Sequence, residues 1–416
     1  MARLALSTLI ARDDVLLAVA REHVLVYDKF TGSLLRTTKL ESRIRACALD
    51  PSARNLVVVD DGKKLHVLAF DTLTVQSTRS IAKKSDIALV TPNGEQILLA
   101  DKFGDAFAYP LHPPADTPTL PATEPVLGEL IFGHVSTLTT FLLAPPAPAD
   151  PKFIISADRD EHIRISHYPL GYVIHTFCLG STKYVTALHI PPSAPELLLS
   201  GGGEDELRLW RWHEGKLLRT FPVGDVVRPR VTVRPPVLKT KPPAAKRQKT
   251  DEVEETEPEK VLAVSRIESI DNVVLFSLLG ANALFYFQMD WSALDAAVDV
   301  RALEFDSPVV DFVLDGDTIW VSLDAQPPSA PLAAATWDAG STALVMTTAP
   351  ALSSVPEGDA DTDLYLPLAL LPKHPDDEGW DVLEAGEAMS DKQRGRRKVK
   401  EQLKALQQPA SPASVS

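Results

Sequence analysis

A closed, all-β, seven-bladed propeller is the fold this sequence predicts, and three observations predict it. The first is a pair of echoing segments. Ser156-Ala157-Asp158-Arg159-Asp160-Glu161-His162-Ile163-Arg164-Ile165-Ser166-His167 is repeated in outline by Ser200-Gly201-Gly202-Gly203-Glu204-Asp205-Glu206-Leu207-Arg208-Leu209-Trp210. Each reads as an apolar strand, a polar turn and an alternating strand, the middle of a WD-repeat blade. The second is a period. Tyr27, Phe70, Tyr109, Ser166 and Trp210, taken as the residue at each blade's Trp position, lie 43, 39, 57 and 44 residues apart. The long interval holds two Pro/Ala-rich inserts, 113–125 and 145–151. Without them the period is about 40–45 residues, one four-stranded blade. The third is the strand-like patterning of residues 24–28, 65–71 and 106–109, with turn residues such as Thr31-Gly32 behind it.

Two further blades are expected around residues 283–287 and 318–322, which makes seven. The last should close through residues 335–346 or through the N-terminal strand at 4–9, because closure leaves no long exposed edge. Gly133-His134 opens a blade, and Asp160 sits six residues before Ser166, where the structural Asp of a WD blade is expected. A His134–Asp160 hydrogen bond should therefore tie that blade together, with Trp210 as the structural residue of the next. That next blade has Ser181 in place of the His and Glu204 in place of the Asp, so packing should hold it.

The propeller is expected to occupy 1–227 and 261–385. The insert between them, 228–260, is rich in Pro and charge and cannot bury a core. Within it Lys246, Arg247 and Lys249, flanked by Pro243, have the form of a monopartite nuclear signal; the bland alternative is a solvated charge run. Residues 386–416 form a basic tail with Lys392, Arg394, Arg396, Arg397, Lys398, Lys400 and Lys404, either a solvated terminal helix or a weak RNA contact.

Composition narrows the function. The formal net charge of -14 over 416 residues argues against a strong nucleic-acid binder, though not against a local basic patch. Cys47 and Cys178 lack metal-ligand spacing and read as core residues of a reducing compartment. No apolar run reaches membrane-spanning length, and Arg12, Asp13 and Asp14 come too early for a secretory signal; a soluble intracellular protein is expected. Gly201-Gly202-Gly203 is a turn with no helix behind it, so it is no phosphate loop. His162 and His167, five apart on one strand, cannot share a metal. No catalytic constellation and no cofactor site is found. Asp158, Arg159, Asp160, Glu161 and His162 read best as a charged protein-contact loop rather than a cation site.

The segment 153–169, with 177–188 and 199–203 behind it, closely resembles the signature of the WD-repeat non-catalytic subunit of tRNA (guanine-7-)-methyltransferase, in a fungal form. The close match covers about residues 128–220; outside it the likeness is architectural. The resemblance implies a seven-bladed propeller without methyltransferase activity or S-adenosylmethionine binding of its own. It implies a heterodimer with a Rossmann-like catalytic subunit, support of 7-methylguanosine formation in the tRNA variable loop, and tRNA contact mainly through the complex. The partner-facing role carries over to Arg164 first, then Arg159, Asp158 and His162. Between Ile163 and Ile165, Arg164 is expected to face outward. The rival class is a generic scaffold, as in ribosome assembly or ubiquitin ligation, which would have no reason to carry the 156–166 string.

Overall fold

Seven stretches of the chain fold into four-stranded antiparallel sheets, each made of four consecutive strands. The computed structural model describes residues 2–101, 103–113, 125–144, 152–236, 260–359 and 363–372. The basic cluster Lys246, Arg247 and Lys249, most of both Pro/Ala inserts and the tail from 386 lie outside the described residues.

Blade 1 runs from Thr8–Arg12 to Leu34–Lys39, blade 2 from Ile44–Leu49 to Val75–Ser80, and blade 3 from Ser85–Val90 to Glu129–Gly133. Blade 4 runs from Leu138–Leu143 to Ile174–Cys178 and blade 5 from Val185–His189 to Lys216–Pro222. Blade 6 runs from Val264–Ile270 to Arg301–Glu304 and blade 7 from Val309–Asp315 to Ala343–Thr347. First strands of neighbouring blades lie against one another and wall a central channel.

The second strands read Val15–Ala20 (VLLAVA) and Asn55–Asp60 (NLVVVD), with no polar face. The reason is burial on both sides: each sheet is sandwiched between two others, as in covered parallel sheets. Seven of the eight apolar clusters among the described residues fill the seams, one between each pair of neighbouring blades.

The first strands of blades 2 to 7 each carry a register shift one residue in, from Ile44/Ala46 in blade 2 to Val309/Asp311 in blade 7. A bulge turns the extra side chain out of the ladder, and here it reaches the next blade. Arg45 Nε donates to Asp86 Oδ1 at 2.6 Å, Thr139 Oγ1 donates to the Val185 carbonyl, and Thr186 Oγ1 donates to the Val264 carbonyl at 2.6 Å. Just past the bulges, Arg266 Nη1 donates to Asp311 Oδ1 at 3.1 Å, and the other oxygen of Asp311 accepts the Leu9 amide of blade 1 at 2.8 Å.

Of the two closures expected, the one through residues 335–346 forms: blade 7 takes all four strands from one segment, and none is donated from the N-terminus. Ala2–Arg3 pairs instead with Glu357–Gly358 beside the ring, and Leu4, Leu6 and Leu9 pack with Trp320 and Leu332. Residues 318–322 lie in the second strand of blade 7, opposite Leu332–Asp338, where a blade is expected. One position needs correction. In blade 2 the Trp position is held by Leu68, opposite Leu56, just as Ser166 stands opposite Ile154; the strand ends before Phe70.

The ends of the expected domains also move. Residues 228–236 belong to the propeller: Arg228–Arg230 form a 3-10 turn, Val231 bridges Ala281, and the Thr232 amide donates to the Gly280 carbonyl at 2.8 Å. The last blade strand ends at Thr347, well short of 385.

Asp311→Ala removes one of the two carboxylates on the Arg266 guanidinium, which keeps Glu268, and strands the Leu9 amide at the one seam where the chain does not continue. We expect a loss of about 3 kcal/mol in unfolding free energy, measured by urea denaturation. A change below about 1 kcal/mol would show that apolar packing closes the ring unaided.

Candidate docking site on the fourth blade

The last residue of the second strand is Asp in three successive blades: Asp60, Asp101 and Asp158. Each carboxylate accepts backbone amides of the turn behind it. Asp60 takes Lys64, Asp101 takes Phe103 and Asp105, and Asp158 takes Asp160 at 2.9 Å and His162 at 3.0 Å. A short acceptor at the strand end fixes the tight turn.

His134 Nδ1 lies 2.8 Å from Asp158 Oδ2, and its Nε2 lies 2.8 Å from Ser156 Oγ. The expected partner, Asp160, is therefore replaced by Asp158, two residues earlier. Counting back from Ser166 misses it; counting to the end of the preceding strand finds it. Asp158 is 3% exposed, so the residue assigned to partner contact is part of the blade's internal frame. Blade 5 divides the remaining roles. Trp210 is fully buried and its Nε1 donates to Ser200 Oγ at 2.8 Å. Gly202 stands where Asp158 stands in blade 4, because a Cβ there would overlap the Tyr184 carbonyl. Glu204 instead accepts the Thr182 amide at 2.9 Å, so a polar link survives in altered form.

Burial pushes the His134 pKa down, and the Asp158 hydrogen bond only partly opposes it. A neutral ring suits both contacts, with Nδ1–H donating to the carboxylate and Nε2 accepting the serine hydroxyl. Burial acts to raise the Asp158 pKa, but the His134 and His162 hydrogen bonds hold it below its ordinary value. Asp101 has no such histidine, and burial pushes it up to about 6.

The expectation that Arg164 faces outward fails. It pairs with Ser156 on one side and Phe177 on the other, in a strand covered on both faces, and is 9% exposed. Alternation marks an exposed face only where one side of a sheet meets water. Arg164 Nη1 donates to the Gly133 carbonyl at 2.9 Å, and the guanidinium lies 5.1 Å from the Phe132 ring centroid. Its Nε and Nη2 are buried without an acceptor. The matching position in blade 2 is His66, 3.2 Å from Asp60, and in blade 5 it is Arg208, paired with Glu204 and Glu206. Of these three bases only Arg164 lacks a carboxylate at hydrogen-bond distance.

Arg159 is also buried, 6% exposed, and its Nε donates to the Leu371 carbonyl at 3.1 Å. The His162 side chain is half exposed, with Nδ1 3.4 Å from Asp158 Oδ2. Val135 and Leu179, which sequence reasoning missed, flank this turn fully and largely exposed, at 101% and 64%. Leu179 adjoins Cys178, which pairs with Ile163, so it stands beside His162. Other exposed apolar side chains continue along blades 3 and 4: Leu127, Leu130, Leu170 and Tyr172. Apolar residues around a buried arginine have the make-up of a protein-binding hot spot. Elsewhere, the channel wall holds His189, Glu268 and Arg266, with His189 Nε2 2.8 Å from Ser269 Oγ. Among the described residues no group of His, Cys, Asp and Glu is arranged to hold a metal, and no helix is long and apolar enough to cross a membrane.

The frame around His134 can be tested by stability. Asp158→Ala should cost about 2–3 kcal/mol in thermal or urea unfolding, because it strands His134 and two turn amides; Asp160→Ala should cost below about 1 kcal/mol. The reverse order would put Asp160, not Asp158, in the blade's frame.

The same frame sets a pH dependence. The unfolded chain binds a proton at His134 near its ordinary 6.5 and the folded chain only at lower pH, so stability falls as pH drops below that value. Asp158, depressed in the fold, loses its contribution only below about pH 4. Asp101, raised in the fold, adds stability over the same range, so the His134 contribution is read as a difference: from pH 7 to pH 5 the wild type should lose more unfolding free energy than His134→Gln. An equal or larger loss in His134→Gln would contradict this.

Comparison with known proteins matches this architecture to one family. The family model described as the tRNA methyltransferase TRM82 WD40 domain matches residues 29–127 and 121–344. The chain is 30% identical over 288 residues to the Bos taurus tRNA (guanine-N(7)-)-methyltransferase non-catalytic subunit WDR4, covering 68% of this chain and 60% of that protein. It is 33% identical over 226 residues to the trm82 subunit of Aspergillus oryzae, covering 43% of this chain and 44% of that one. The Kluyveromyces lactis TRM82 subunit is 29% identical over 246 residues, 58% and 52%. The chain thus spans about half the length of the curated relatives it matches. With the family model covering most of the propeller, the chain belongs to the family of the tRNA methyltransferase TRM82 WD40 domain.

Proposed function

We propose that this chain is the non-catalytic WD-repeat subunit of a tRNA (guanine-N7-)-methyltransferase. It binds and stabilises a catalytic subunit, so that 7-methylguanosine forms in the tRNA variable loop, and it holds no cofactor itself. The name carried by its relatives supports the reading, and one observation carries the docking mechanism: the acceptor-less nitrogens of Arg164.

A buried guanidinium with two unmet nitrogens is costly, about 1–3 kcal/mol for each unmet group. A carboxylate presented at the edge of blades 3 and 4 removes that cost when the long side chain swings to meet it. Arginine suits this because its planar fork holds a carboxylate bidentately. Val135 and Leu179 would then exclude water around the pair. The net charge of -14 favours tRNA contact through the complex rather than by this chain alone. We also propose that Lys246, Arg247 and Lys249 serve nuclear entry.

Arg164→Met keeps a side chain that packs on Phe132 and removes the unmet nitrogens. The fold should melt within a few degrees of wild type or higher. Affinity for the catalytic subunit should fall by about 2–5 kcal/mol, with less 7-methylguanosine in cellular tRNA. Unchanged affinity would move the docking face to another blade. Replacing Lys246, Arg247 and Lys249 by Ala should shift the protein out of the nucleus in cells lacking the catalytic subunit, with melting unchanged; unaltered distribution would remove the signal.

A further inference from the structure

The first strands of blades 4, 5 and 6 enclose a cavity of about 470 Å³ on the wall of the central channel. It runs nearly the length of those strands. Thr186 and Ser265, each second in its strand, line one end, and Leu143 and His189, each last in its strand, line the other. Where the first strands begin, the chain beyond blade 7 lies over them. Arg43, Tyr184 and Ala263 each directly precede a first strand; Arg43 pairs with Asp363 at 3.3 Å, and the other two pack on the fully buried Leu368. Entry is therefore from the opposite end, beside Ile190 and Pro192. The volume is that of a small-molecule site, and such sites pair apolar walls with a few polar groups. Here Leu142, Leu188 and Ile190 are half-buried along the walls, and the charge is gathered at Arg266 and Glu268.

We propose that this cavity binds a primary alkylammonium group, with the ammonium on Glu268 Oε2 and the methylene stem along Leu142, Leu188 and Ile190. The sign of the charge follows from who is already partnered. Arg266 is shared by two carboxylates: its Nε donates to Glu268 Oε1 at 3.0 Å and its Nη1 to Asp311 Oδ1 at 3.1 Å, so it has little left to attract an anion. Asp311 is committed as well, because its second oxygen accepts the Leu9 amide. Glu268 is not. Its Oε2 accepts no hydrogen bond among the described residues, His189 Nδ1 stands 3.6 Å away, and the side chain is 28% exposed. Burial pushes the His189 pKa down, so the ring is neutral at pH 7 and leaves the Glu268 charge uncompensated. A charge-assisted hydrogen bond at such a partly dry carboxylate is of the strong kind, and an alkyl stem suits the apolar walls beside it. A free short-chain amine and the lysine side chain of a peptide present the same group. The inference does not rest on the docking reading.

The test is isothermal titration of the full chain at neutral pH and low salt with three probes: hexylammonium, hexanoate and Nα-acetyllysine methylamide. Hexylammonium should bind saturably with a Kd of about 1 mM or tighter, and hexanoate about tenfold more weakly or not at all. Glu268→Gln should weaken hexylammonium by about tenfold or more while melting near wild type, since Arg266 keeps Asp311; Glu268→Asp should restore most of the binding. Leu188→Trp fills the cavity without touching the charge and should abolish it. Hexanoate binding as tightly as hexylammonium overturns the charge assignment. Amine binding undiminished in Glu268→Gln and Leu188→Trp places it elsewhere on this acidic chain and overturns the site. No saturable binding of either amine overturns the proposal outright. If Glu268→Gln fails to fold, the hexanoate comparison and Leu188→Trp decide between these outcomes. Tighter binding of the capped lysine identifies a peptide side chain as the source, and tighter binding of hexylammonium a free amine; each supports the site.

Discussion

Closure of the ring at the seam between blades 7 and 1 is the constraint on which the other blades depend. Each sheet has both faces apolar and is stable only between two neighbours, so an open seam would expose two such faces to water. Asp311 stands at that seam. It takes Arg266 from blade 6 and the Leu9 amide from blade 1, and so couples three blades through one side chain. Around the rest of the channel the bulge residues Arg45, Thr139 and Thr186 make the corresponding neighbour-to-neighbour links. Tyr27 Oη adds a bond to the Ser354 carbonyl, tying blade 1 to the segment beyond blade 7.

The proposed docking site grows out of the same frame. Double-sided burial forces the third strand of blade 4 to place Arg164 inside, and Phe132 of blade 3 offers it an aromatic face but no charge. Asp158 commits its oxygens to His134 and to turn amides, which leaves the guanidinium half satisfied. In the proposed reading, stability of the blade and readiness for a partner are divided between two neighbouring charged residues. One is fully bonded within the chain and the other is not.

Much of the architecture could be read from sequence, because blade period and turn chemistry are local. The echo of 156–167 in 200–210 marked two blades, and Gly133-His134 marked the start of one. Three kinds of information could not be read. Register within a blade depends on where a strand ends, which is why Asp160 was expected in the place of Asp158, and Phe70 in that of Leu68. Burial of Arg164 depends on the neighbouring sheet, and an Ile-Arg-Ile pattern looks the same whether one face or both are covered. Val135, between His134 and Ser136, and Leu179, after Cys178, carry no local mark of exposure, and the segment 363–372 is placed by contacts far apart in the chain.

In the proposed reading the catalytic subunit is gripped at the edge of blades 3 and 4. Hydrogen-exchange footprinting of the full chain, free and in complex with that subunit, tests it most directly. Added protection should concentrate at 133–138, 158–164 and 177–180, and Arg164→Met should abolish it there. Protection centred on any other blade, with these residues unchanged, would contradict the claim.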